Sequence, residues 1–116
     1  MKFSGKIKRL IFLSFCSFIF NTLPAIAANH YALLIGVSEY PELERKYSLK
    51  SGPRNDVVGM KEVLTKYGFS PSDITLLADG VEGSKLPTRE NILSEFERLT
   101  RELEGKRTGF VYIHFS

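Results

Sequence analysis

Residues 31–37 read YALLIGV. The run carries no charge and no amide, and its length suits a strand buried on both faces, as in a parallel sheet. Working outward, residues 74–77 read ITLL and are closed by Asp79-Gly80, and residues 110–115 read FVYIHF. Between the first two stretches, Val57, Met60, Leu64 and Tyr67 recur at intervals of 3, 4 and 3. Between the second two, Ile92, Phe96, Leu99 and Leu103 recur at 4, 3 and 4. Each set is one apolar face of a helix. Strands at about 31–37, 74–78 and 109–115 therefore alternate with helices at about 54–67 and 88–104. That order is the signature of an α/β fold built on a parallel sheet.

The punctuation agrees with this order. Asn55 or Asp56 is expected to cap the first helix, and Gly68 to end it. Ser70-Pro71-Ser72-Asp73 reads as a turn. Thr88 is expected to cap the second helix, with Glu90 near its positive end, and Gly105 to close it, with Lys106 and Arg107 complementing its C-terminus. The polar stretch from Ser38 to Pro53 is longer than most connections, and long loops are often functional. The loop at 79–87 holds Gly80 and Gly83 but lacks the Gly-Lys-Ser/Thr of a phosphate-binding loop.

Charge is unevenly spread. The chain holds 16 basic and 13 acidic residues for a net +3, yet Lys2, Lys6, Lys8 and Arg9 all precede the first acid, Glu39. Without them 12 basic residues face 13 acidic ones. That near-neutral remainder has no electrostatic footprint for nucleic acid. The basic start, the uncharged stretch LIFLSFCSFIFNTL from Leu10 to Leu23, and Ala25-Ile26-Ala27 describe a secretory signal peptide over residues 1–27, cut after Ala27. An uncleaved membrane anchor is the alternative, because the uncharged run approaches the ~20 residues a span needs. The protein is thus expected to be exported, with membrane contact only through an uncleaved signal. Phe15 before Cys16 argues against a lipoprotein cleavage site. Cys16 is the one cysteine. Residues 28–116 therefore contain no disulfide, zinc thiolate or thiol nucleophile.

YALLIGVSEY, GPRNDVVGMKEVLTKYGF, ITLLADG, PTRENILSEFERL and GFVYIHFS, taken in order, resemble the first half of a caspase-like cysteine peptidase domain, closest to the metacaspase and bacterial branch. The most specific elements are the Asn55-Asp56 pair between the first strand and Gly68-Phe69, and the terminal strand ending in Phe115-Ser116. The resemblance implies a caspase-like three-layer fold, incomplete here, over residues 28–116. In the family that last strand runs into Gly-His-Gly, which places the catalytic His two positions after Ser116 and the catalytic Cys further on. The family chemistry is attack of a Cys thiolate on a peptide carbonyl, with His moving the proton. No catalytic residue is assigned in this chain, which is expected to be inactive alone. It reads as the N-terminal part of an exported endopeptidase.

The resemblance assigns one substrate-binding residue, Asp56. In metacaspase-type members the matching Asp lines the pocket for the residue before the scissile bond, which selects Arg or Lys. Helix capping is the competing role for this Asp. Animal caspases instead use Arg in this region to bind Asp; Lys50 is the nearest basic candidate for that role, and the role is not carried over to it. The implied partner is a protein or peptide substrate; no cofactor and no metal are expected. His114, on the opposite strand face from Ile113 and Phe115, and His30, at the strand entry, read as structural or solvated. A non-catalytic caspase-fold binding or scaffolding module, and an unrelated flavodoxin-like binding domain, are the alternatives.

Overall fold

The computed structural model describes residues 28–106 and 108–116. The signal-peptide reading of residues 1–27 and the placement of Arg107 lie outside them. Three strands, β1 (Asn29–Gly36), β2 (Ile74–Ala78) and β3 (Thr108–Phe115), form one sheet in the order β2-β1-β3, with both pairings parallel. Two helices, α1 (Gly52–Lys66) and α2 (Arg89–Leu103), fill the connections. The result is the α/β parallel sheet expected from the alternation of apolar runs, in the three-layer arrangement that the resemblance implies.

β1 is central and is buried on both faces from Tyr31 to Gly36. Ala32 and Leu34 join Val57 and Leu64 of α1, together with Phe69, Ile74 and Ala78. Tyr31, Leu33 and Ile35, the alternate set, join Leu77 and Leu99 of α2. The two-residue period of a strand thus feeds two cores on opposite sides of one sheet. β3 is less well covered. Tyr112 packs against the α1-side core, while Val111, Ile113 and Phe115, on the α2 side, remain exposed.

Several local expectations are corrected. Neither Asn55 nor Asp56 caps α1. The helix begins at Gly52 behind Ser51, with Pro53 in its first turn and no side-chain capping bond. A proline suits that place, since its missing N–H would be unpaired anyway and its φ is already helical. Asp56 is therefore inside the helix and exposed. Tyr67 leaves the apolar face: it is 79% exposed, at the C-cap. Gly68 does end α1, at φ 91°, with its N–H on Thr65 O and Phe69 N–H on Leu64 O, the two bonds of a Schellman closure.

On α2, Thr88 accepts from Asn91 N–H at 3.2 Å and caps the helix as expected. Phe96, assigned to the apolar face, is exposed, and Glu95 is buried instead. Glu95 accepts from Lys85 Nζ at 2.8 Å and from Arg98 Nε at 2.6 Å, and Arg98 also donates to Thr75 on β2 at 2.8 Å. A carboxylate so satisfied can replace an apolar side chain. Lys85 is itself fixed by a parallel bridge to Leu77, so the loop at 79–87 is tied to both β2 and α2. None of the described helices is long and apolar enough to cross a membrane.

Candidate functional site

In α/β sheets, ligands bind outside the carboxyl ends of the strands. Here that edge is formed by Val37 and Ser38 after β1, Asp79 after β2, and Ser116 after β3. Parallel pairing continues one residue past the strands: Ser116 N–H donates to Ile35 O at 2.8 Å, and Val37 N–H donates to Ser116 O at 2.9 Å. Side chains alternate along β3, so Tyr112, His114 and Ser116 face α1. The Ser116 hydroxyl donates to Asp56 Oδ2 at 2.7 Å. A residue one turn into α1 and a residue 60 positions later thus meet at the sheet edge.

Asp56 is exposed, and among the described residues no cationic side chain lies within ion-pair distance of it. It presents an oriented carboxylate with one oxygen held by a neutral donor. Such a group is suited to a charge-assisted bond with an incoming ammonium or guanidinium. Ser116 was not singled out from sequence as a partner of Asp56. The available signal was its place directly after a strand, which does not say what faces it.

The β1–α1 loop closes on itself. Ser38 O accepts from Leu49 N–H at 3.0 Å and from Ser48 Oγ at 3.2 Å, and residues Arg45–Tyr47 make a short 3-10 turn. Lys50, the basic residue weighed against Asp56, has φ 55°, a left-handed conformation that is uncommon for a side-chain-bearing residue. On the other face of the sheet edge lies an apolar groove of about 620 Å³, with Val37, Pro41, Leu86, Ile92 and Phe115 among its walls.

The two histidines are not set up as bases. His114 stacks on Tyr112 with centroids 6.4 Å apart, and its Nε2 is buried without a hydrogen-bond partner. His30 packs against Phe69 with centroids 5.3 Å apart, and its Nδ1 is likewise unpartnered. Among the described residues no group of three or more His, Cys, Asp or Glu is placed to hold a metal ion.

A family model for the caspase domain, the peptidase C14 family, matches residues 29–116. The chain belongs to the caspase-domain family. The match opens at the first residue of β1 and takes in the whole described sheet. Metacaspase-9 of Arabidopsis thaliana is 31% identical over 86 residues, covering 73% of this chain and 25% of that protein. A stretch of 64 residues is 33% identical to keratin, type I cytoskeletal 9, of Mus musculus, covering 55% of this chain and 9% of that one. The chain thus spans about a quarter of the metacaspase it matches. Within this caspase domain the described residues contribute no thiol, since Cys16 precedes them.

Proposed function

We propose that this chain forms the cation-recognising part of an exported cysteine endopeptidase, which in its longer form cleaves after Arg or Lys. Asp56 receives the side chain before the scissile bond. The supporting observation is the Ser116–Asp56 bond of 2.7 Å, which holds an exposed carboxylate, without a cationic partner among the described residues, at the edge where this fold class binds ligands. In the proposed reaction a Cys thiolate forms a bond to the peptide carbonyl carbon, and a His passes a proton to the departing amine. The described residues supply neither member of such a pair in working geometry, so both are assigned to the rest of the longer protein.

The test is a ligand titration of the chain followed by NMR. Benzamidine and N-acetylarginine amide are expected to shift Asp56 and Ser116, while N-acetylaspartate amide does not. Asp56→Asn is expected to weaken the cations by about 10- to 150-fold, the equivalent of the ~1.5–3 kcal/mol of a hydrogen bond to a charged group. Shifts that follow the aspartate ligand and move Lys50 would overturn the reading in favour of an acidic residue at that position.

A non-catalytic binding module is the second reading, supported by the apolar groove beside Phe115. A longer protein carrying Gly-His-Gly after this strand and a later Cys would decide against it. Export itself is checked by N-terminal sequencing: the mature protein is expected to begin at Ala28, and intact Met1 in a membrane fraction would replace export with anchoring.

A further inference from the structure

Asp79 lies at the end of β2, and its Oδ1 accepts from Ser38 N–H at 2.9 Å across 41 positions of sequence. Ser38 is fully buried. It is also the point on which the β1–α1 loop closes, through Leu49 N–H and Ser48 Oγ. Its neighbour Val37 holds the carbonyl of Ser116, and Ser116 holds Asp56. One run of hydrogen bonds thus leads from Asp79 through the end of β1 to the end of β3 and on to Asp56. A second branch leads from Ser38 through Leu49 into the start of α1.

The corner around Asp79 is polar and borders the groove of about 620 Å³ beside Phe115. Asp79 Oδ2, Ser38 Oγ and Arg54 Nε are all buried without partners. Arg54 packs over Gly80, so that a Cβ at Gly80 would collide with its guanidinium, and it lies 3.8 Å from Glu39. Arg54 thus reaches the residues that follow Asp79 and Ser38 in the chain. A buried carboxylate oxygen without a donor opposes folding.

We infer that Asp79 is a positioning residue: by anchoring Ser38 it fixes the β1–α1 loop and the sheet edge that together present Asp56. The inference rests on the proposed role of Asp56 as the cation site and adds a residue that acts on it without touching the substrate.

The experiment uses the full chain and the variants Asp79→Ala and Asp79→Asn, with amide hydrogen exchange and benzamidine titration read at Ser116. In Asp79→Ala, protection at Ser38 is expected to fall about tenfold, the loss of one hydrogen bond to a charged acceptor, while Leu33 and Leu34 in β1 keep theirs. Benzamidine affinity is expected to fall several-fold in parallel. Asp79→Asn retains an oxygen acceptor for the Ser38 N–H and is expected to restore most of both. Equal loss of protection at Leu33, Leu34 and Ser38 would reduce Asp79 to a general stabiliser and overturn the inference. Unchanged benzamidine affinity in Asp79→Ala would overturn it too. If the unaltered chain ignores benzamidine while Ser38 exchange still follows Asp79, the Asp56 reading is what fails, and with it Asp79's part in recognition.

Discussion

Gly36→Ala is expected to loosen α1 from the sheet and lower the melting temperature by about 10–20 °C. A Cβ at Gly36 would stand 2.7 Å from the Pro53 carbonyl oxygen, 3.1 Å from its carbonyl carbon and 3.1 Å from Val57 Cγ1. Two of the three obstacles are backbone, so no rotamer change relieves them. Overpacking costs about 1–3 kcal/mol, and a rigid backbone neighbour places this site near the top of that range. A domain of this size loses about 4–8 °C per kcal/mol. Pro53 lies in the first turn of α1, so the same shift would carry Asp56 away from Ser116. Gly59→Ala is the control: it adds the same methyl to α1 itself, at a position where nothing lies within 4 Å. There a gain of about 0.5–1 kcal/mol is expected, because glycine is a poor helix former. Thermal unfolding by circular dichroism measures both. A drop of only a degree or two in Gly36→Ala would show that α1 is docked with slack.

Glu95→Ala is expected to cost about 1–2 kcal/mol near neutral pH, with the deficit shrinking in acid. The residue is 3% exposed. Burial alone pushes the Glu95 carboxyl upward, but the hydrogen bonds and charges of Arg98 and Lys85 outweigh it and leave its pKa below the ordinary value. A lowered folded-state pKa means stability that is present above the unfolded-state value and lost as pH falls through the folded one. The gap between the parent and Glu95→Ala is therefore expected to hold above about pH 4.5 and to close below it. The magnitude stays modest because the Lys85 and Arg98 side chains are 63% and 38% exposed and regain water when released. Glu95→Leu is expected to be milder than Glu95→Ala, since an apolar side chain continues the face of Ile92 and Leu99. Urea unfolding at a series of pH values tests this. A gap that does not change between pH 7 and pH 3 would show that the charge of Glu95 is not what stabilises it.

The Glu95 site shows why part of the packing was not legible in the sequence. Glu95 stands three positions after Ile92 and four before Leu99, so helical periodicity places it on the inward face as readily as Phe96. Hydropathy favours Phe96. The burial of Glu95 is made tolerable by Lys85, brought in by its bridge to Leu77, and by Arg98 reaching Thr75. Both depend on the loop at 79–87 and on β2 being folded against α2.

What the sequence by itself determined is local. The uninterrupted apolar run of β1 marks a strand covered on both faces, Thr88 starts α2, Gly68 and Gly105 turn the chain left-handed at helix ends, and the alternation of runs and periods sets the α/β class. Each of these depends on a few adjacent residues and their own backbone preferences. What only the tertiary structure decided is which distant groups meet. Asn55-Asp56 carried the sequence signal of a cap, yet Pro53 opens the helix earlier and leaves Asp56 on its exposed surface. The hydroxyl that orients Asp56 comes from Ser116, and the carboxylate that ties down its loop comes from Asp79. Both arrive through parallel pairing of strands far apart in the chain. Such pairing fixes register and face at once, and neither is encoded in the short-range spacing of the residues it joins.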